Sequence, residues 1–214
     1  MQERSYSLLD RVITSLDVAI ATVFSSPAGT GRANPSRYCA ASDLSTEDRL
    51  RSSRLMRVNH AGEVAAQALY QGQAVTARQD SVRAAMEKAA LEENDHLAWC
   101  AQRIHELSGH PSYLNPAWYA GSFAIGVLAG LAGDAWSLGF VVETEHQVVR
   151  HLDNHLRQLP ESDLKSRAIL EQMRQDESHH ATAALESGGN ELPDEIRILM
   201  SLASQVMIRT AYWI

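Results

Sequence analysis

LEENDHLAWC, residues 91–100, carries Glu93-Asn94-Asp95-His96, and DESHH, residues 176–180, repeats that outline as Glu177-Ser178-His179-His180. Each is an E-x-x-H, and residues three apart share one face of a helix, so each pair can address a single point. Glu63 stands thirty residues before Glu93, and Glu145 stands thirty-two before Glu177. Two residues in an antiparallel helical hairpin lie level when they are equally far from its turn. The midpoints fall at position 78 and position 161, and both carry turn signals of their own: Arg78–Ser81 and Pro160. Each arm is roughly sixteen residues, or about 24 Å at 1.5 Å rise per residue, so the four glutamates would meet deep inside a bundle.

The rest of the chain supports that frame. Leu9, Val12, Leu16, Ala19 and Val23 recur at spacings of three and four, as in an amphipathic N-terminal helix. SSPAGTGRANPSRYCAAS, residues 25–42, has no periodicity and reads as a loop or linker. Ser45 and Asp48 resemble a capping box that opens the first core helix, which runs to about Arg78. A second helix ends near Leu107. SGHPSYLNP, residues 108–116, is a long connection, and Pro116 suits the first turn of a third helix continuing to about Gln158. Pro160 breaks it. A fourth helix spans about Ser162 to Ser187 and stops at Gly188-Gly189, and an amphipathic segment follows Pro193. Two hairpins joined by one long crossover make an all-α, ferritin-like four-helix bundle with extra N- and C-terminal helices, a single domain over residues 1–214. No strand–helix alternation is present.

Composition excludes several classes. The net charge is -7 and there is no basic run, so a nucleic-acid partner is not expected, and a di-iron tRNA hydroxylase is disfavoured with it. Cys39 and Cys100 form no CxxC; a rubredoxin-type site cannot be built from them, and reduced thiols are expected. Glu3, Asp10 and Asp17 and the lack of a small-residue cleavage site argue against a signal peptide. No G-x-G-x-x-G follows a strand, so no Rossmann-type reductase module is encoded.

Four glutamates in one core repel each other and cannot all stay ionised alone, whereas two divalent cations would cancel them. Carboxylate oxygen with imidazole nitrogen suits iron or manganese. The ligand set is Glu63, Glu93, His96, Glu145, Glu177 and His180. On the third helix Glu143 is the competitor, about 200° away around the axis, so only one of the two faces the core. Glu145 is preferred because its interval to Glu177 is nearer that of the first hairpin; Glu143 is then surface or outer-sphere. Asp176 either hydrogen-bonds the outer nitrogen of a ligand histidine or lies solvated, and Glu92 and Asp95 offer the same alternatives. His151 lies near the site or fills a polar surface position. His60 and His179 read as surface or boundary residues.

LMRVNHAGEVAAQALYQGQ, residues 55–73, with Asn59-His60-Ala61-Gly62-Glu63 and Tyr70-Gln71-Gly72-Gln73, resembles the region around the first metal glutamate of demethoxyubiquinone hydroxylases. The resemblance continues through Glu93-Asn94-Asp95-His96-Leu97 and MRQDESHH, residues 173–180, and covers roughly residues 45–214. It implies a di-iron centre whose two iron ions are held by the same six residues. It also implies ring hydroxylation of a polyprenyl quinol by O2 in ubiquinone biosynthesis, with electrons from NADH or another reductant. Two departures are evident. The linker at 25–42 is not a general feature of the family, and His151 is followed by Leu152 where members often have Tyr.

WYAGSFAIGVLAGLAGDAWSLGFVV, residues 118–142, holds one charge, Asp134, and is long enough to span a bilayer. Spanning would pull Glu145 from the bundle, so the segment reads as a bundle helix whose exposed apolar part meets a membrane surface. The C-terminal Met200, Val206, Met207, Tyr212, Trp213 and Ile214 extend that patch. The expected location is peripheral, at the cytoplasmic face of the cell membrane. The same surfaces suit a lipid-presenting partner protein or packing in a homo-oligomer. The rival functions are a ferroxidase or storage cage, and a non-catalytic assembly factor for a biosynthetic complex.

Overall fold

The computed structural model describes residues 8–25, 28–41 and 43–214. Among them are seven α-helices, one short 3-10 helix and no strand. They are α1 (Leu8–Phe24), α2 (Thr46–Thr76), α3 (Asp80–Glu106), α4 (Asn115–Leu131), α5 (Asp134–Gln158), α6 (Leu164–Glu186) and α7 (Asp194–Ala211); the 3-10 helix is Pro35–Tyr38. The side chains of Leu9 and Val12, assigned to the stripe of α1, lie outside the described residues.

Helices α2, α3, α5 and α6 form the ferritin-like bundle, as two hairpins that face each other. Local chemistry sets their ends. Ser45 Oγ accepts the Asp48 N–H at 3.1 Å and donates to Asp48 Oδ2 at 2.8 Å, which closes the first turn of α2. Asp163 caps α6 through the Ser166 N–H at 3.1 Å, and buried Arg103 pairs with it at 2.7 Å.

The expected single third helix is two helices. The break falls at Ala132-Gly133, where Gly133 has φ +119, a backbone state that L side chains rarely adopt. Asp134 stabilises the break: its carboxylate accepts the N–H groups of Arg78 at 3.0 Å and Gln79 at 2.9 Å, at the α2–α3 turn. Arg78 returns a bond to the Leu131 carbonyl at 3.0 Å. The one charge of the long apolar stretch is therefore a structural clamp. Helix α4 thus belongs to the crossover and lies along α2, where Gly72 and Gly126 let the two backbones touch; a methyl group on either would collide with a carbonyl of the other helix.

The bundle core is apolar at both ends and polar between. The largest apolar cluster includes Leu55, Met56, Trp99, Ile104, Leu152 and Leu170; a second includes Tyr70, Val82, Met86, Leu138 and Val141. Glu63, Glu93, Glu145 and Glu177 occupy the layer separating them.

Candidate metal centre

Buried carboxylates normally avoid one another, because removing a charge from water costs several kcal/mol per ion and like charges add to it. Here four converge, each no more than 4 % exposed, with the wholly buried His96 among them. Two overlapping groups result. Glu63, Glu93, His96 and Glu177 each offer a ligand atom within 4.8 Å of the others, and so do Glu93, Glu145, Glu177 and His180. Glu93 and Glu177 belong to both groups. All six residues singled out in the sequence come together, and Glu145 rather than Glu143 is the third-bundle-helix carboxylate that joins them.

Each histidine has its Nδ1 turned to the carboxylates. His96 Nδ1 lies 3.0 Å from Glu177 Oε1, 3.2 Å from Glu93 Oε2 and 3.5 Å from Glu63 Oε2. His180 Nδ1 lies 3.0 Å from Glu177 Oε2 and 3.4 Å from Glu93 Oε1. The outer nitrogens face a second pair of carboxylates: His96 Nε2 sits 2.9 Å from Asp176 Oδ2, and His180 Nε2 sits 2.7 Å from Glu92 Oε2. The arrangement is reciprocal, since the acid preceding each shared glutamate serves the histidine of the opposite helix. An Nε2–H held in this way leaves Nδ1 free as a donor of electrons. Asp95 takes no part; it is buried beneath residues 28–34 and accepts from the Thr30 hydroxyl and the Gly31 N–H. Tyr70, buried in the same layer, donates its hydroxyl to Glu145; nothing in the spacing of glutamates and histidines signalled it.

Without a cation the cluster stores protons. Burial, then the neighbouring Glu93, pushes the Glu63 carboxyl well above the usual carboxylate range; burial and Glu177 do the same to Glu145. Burial acts against ionised Glu93 too, yet hydrogen bonds from His180 and His96 outweigh it and hold Glu93 low. Burial disfavours charged imidazole, but the adjoining carboxylates raise His96 well above its ordinary value and push His180 up to about 12. Glu93 Oε1 and Glu177 Oε1 remain buried without a hydrogen bond, although a histidine Nδ1 is near each. Two orphaned oxygens on the two shared carboxylates are what a pair of divalent cations would satisfy, and four glutamates would neutralise that pair. The donor set fits a two-cation centre.

The remaining candidates separate cleanly. Glu143 is buried on another face of α5, where it accepts from Gln147 at 2.8 Å, Arg150 at 3.2 Å and Arg197 of α7 at 3.2 Å. His179 is exposed. His60 is buried rather than a surface or boundary residue: α2 is covered by α4 on that side, Asn115 Nδ2 lies 3.4 Å from its Nδ1, and burial lowers its pKa to about 4. His151 packs against His155 with the rings tilted, 3.8 Å between ring centres, and His155 Nδ1 reaches Asn59 Oδ1 at 2.9 Å.

A cavity of about 330 Å³ opens onto the cluster between α2, α4, α5 and α7. Glu63, Glu93, Glu145 and Glu177 form its polar end, with His151 beside them; Leu69, Ile125, Phe140, Val148, Met200, Met207 and Ile208 supply apolar wall. Outside, the apolar residues Leu128 and Leu131 of α4 and Ile198, Leu199, Leu202 and Val206 of α7 are exposed. Among the described residues, no helix is long and apolar enough to cross a membrane.

The family model described as Ubiquinone biosynthesis protein COQ7 matches residues 51–211. A 3-demethoxyubiquinol 3-hydroxylase of Nitrosococcus oceani is 62 % identical over all 214 residues and its own full length. Proteins of the same name from Pseudomonas putida and Nitrosomonas europaea are 54 % and 50 % identical, over 98 % and 96 % of this chain and 98 % and 99 % of theirs. The full-length alignment with the Nitrosococcus protein takes in residues 25–42, so that segment is not peculiar to this chain. By the extent of the match and the identity of these relatives, the chain belongs to the COQ7 family of ubiquinone biosynthesis proteins.

Proposed function

We propose that the protein is a di-iron monooxygenase that hydroxylates the ring of a demethoxyubiquinol in ubiquinone biosynthesis. The observation that carries this is the cavity whose polar end is the four-glutamate, two-histidine cluster and whose walls are apolar. The activity for which the relatives are named supports the substrate and the reaction type. Carboxylate oxygen with imidazole nitrogen suits iron or manganese, and the O2-dependent reaction selects iron. Two iron ions held by Glu63, Glu93, His96, Glu145, Glu177 and His180 would supply the O2 chemistry: one oxygen atom enters the ring, the other leaves as water, and a reductant such as NADH delivers two electrons.

The chain's own residues do the rest. Asp176 and Glu92 fix the tautomers of the two histidines, and Tyr70 orients Glu145. The apolar walls exclude water and hold the prenyl tail. At the cavity, burial keeps His151 neutral, with a pKa lowered to about 4, so it can exchange hydrogen bonds with a quinol hydroxyl. Trp118 Nε1–H, buried without an acceptor, is a second donor for a ring oxygen.

The exposed apolar side chains of α4 and α7, at the cavity's flanks, favour peripheral attachment at the cytoplasmic face of the cell membrane, where a lipid-soluble quinol would enter. A lipid-presenting partner would use the same surface. Two assays test the proposal. Iron-loaded protein with short-tail demethoxyubiquinol, O2 and NADH should yield the demethylubiquinol product by chromatography, and Glu177→Ala should not; no product from the wild type contradicts the activity. Flotation with phospholipid vesicles should carry wild type and lose Leu199→Glu/Leu202→Glu; equal flotation contradicts the membrane face.

A further inference from the structure

The two histidine sides of the cluster are closed off differently. Residues 28–34 run along the outer face of α3 as a strap. The Ala28 carbonyl accepts from Asn94 at 2.9 Å, Thr30 and the Gly31 N–H bond Asp95, and Asn34 bonds Gln102 at 2.9 Å. Between these anchors Arg32 crosses the Trp99 ring, 5.1 Å from its centre, and places Nη2 2.6 Å from Asp176 Oδ2. That oxygen is the one that holds His96 Nε2, and Gln172 ties the other Asp176 oxygen at 3.0 Å. On the opposite side Glu92 holds His180 alone, and its further partner is Lys88 at 3.4 Å, one turn away and 77 % exposed. Solvent-screened pairs of that kind hold little. His96 is fully enclosed, whereas the His180 side chain retains some exposure.

Resting on the two-cation reading above, we infer that the strap retains the cation on the His96 side, with Arg32 as a positioning residue acting through Asp176 and His96. The two ions then differ in lability. The ion held by Glu93, Glu145, Glu177 and His180 leaves first, and the ion held by Glu63, Glu93, His96 and Glu177 leaves only when the strap lets Asp176 and His96 turn. The strap has no counterpart on the His180 side among the described residues.

The test is ferrous iron release from the full-length protein, loaded anaerobically with two equivalents and mixed with excess colorimetric chelator. Wild type should release one equivalent fast and one slowly. Arg32→Ala should accelerate the slow phase roughly tenfold, within the range of about 10- to 100-fold typical of losing an outer-sphere partner, and leave the fast phase alone. Arg32→Lys should restore part of the retention, and Asp176→Asn should accelerate the slow phase at least as much as Arg32→Ala. Lys88→Ala should leave both phases unchanged. A single phase in wild type, an unchanged slow phase in Arg32→Ala, or equal acceleration of both phases overturns the strap. Binding of fewer than two equivalents by wild type instead overturns the two-cation reading itself.

Discussion

Glu93 and Glu177 are the two carboxylates common to both candidate cation positions, and each buries an Oε1 without a hydrogen bond. They face each other from α3 and α6, so each would serve two ions. Glu177→Ala should therefore abolish binding of both ions, while Glu63→Gln should weaken one position and leave a protein holding close to one equivalent. Metal content after desalting measures this; full retention of two equivalents by Glu177→Ala contradicts the assignment.

Glu143 and Glu145 test the helix face. Glu145→Gln should lose bound metal and activity. Glu143→Gln removes part-exposed contacts to Arg150 and Arg197, each worth no more than about 1 kcal/mol, and should keep both ions. Metal analysis with a melting curve separates them, and the reverse pattern would exchange their roles.

The metal-free protein should lose stability as pH rises above neutrality. Above about pH 6.5 an unfolded chain has released the protons of its carboxylates and histidines. Folded Glu63, Glu145, His96 and His180 have raised pKa values and still hold theirs. The folded state binds more protons, so stability falls with pH, by up to about 1.4 kcal/mol per pH unit for each retained proton. Below that window His60 and His151, depressed by burial to about 4, act in the opposite sense, and stability gained from their neutral forms is lost as pH falls toward that value; His155, held well below its ordinary value by burial and the neighbouring His151, acts in the same sense. The melting temperature of chelated protein should drop between about pH 7 and about pH 9. Metal displaces the protons, so the gap between loaded and chelated protein should widen over that range. Parallel curves would contradict the cluster as a proton store.

Filling the cavity should separate substrate binding from metal binding. Ala203 of α7 lines the cavity. Ala203→Phe should raise KM for the quinol by roughly tenfold or more, the equivalent of about 1.4 kcal/mol of lost binding, with metal content unchanged. An unchanged KM would move the substrate elsewhere.

The α2–α4 contact should tolerate no added methyl. Gly126→Ala pushes Cβ into the Leu69 carbonyl, and forced separation of packed backbones costs about 1–3 kcal/mol. A denaturant midpoint equal to wild type would contradict the close packing.

The cluster was legible because it rests on rigid arithmetic. An E-x-x-H aligns two ligands on any helix, and equal distances from a turn align ligands on two helices, so Glu63, Glu93, His96, Glu177 and His180 needed no tertiary information. The break at Gly133 was not legible. An apolar run with scattered glycines reads as one helix, and the partners that favour a break, Arg78 and Gln79 against Asp134, lie some 55 residues away in the chain. The segment 25–42 has no periodicity, so the role of residues 28–34 against α3 is visible only once Asp95 and Asp176 have positions. The burial of His60 is not legible in the sequence because its cover is α4, and an unbroken apolar run does not separate α4 from α5. Tyr70 shared no spacing with the ligands and became meaningful only through its contact with Glu145.

The most direct test of the central claim is a single turnover under 18O2. Iron-loaded protein, short-tail demethoxyubiquinol and reductant are mixed, and the product ring is weighed by mass spectrometry. One labelled oxygen in the ring, absent in Glu177→Ala, is the result expected of a di-iron quinol hydroxylase. Iron oxidation with no label in the ring, while a relative of known activity labels its product in parallel, would contradict the account and favour an iron-handling role for the same six residues.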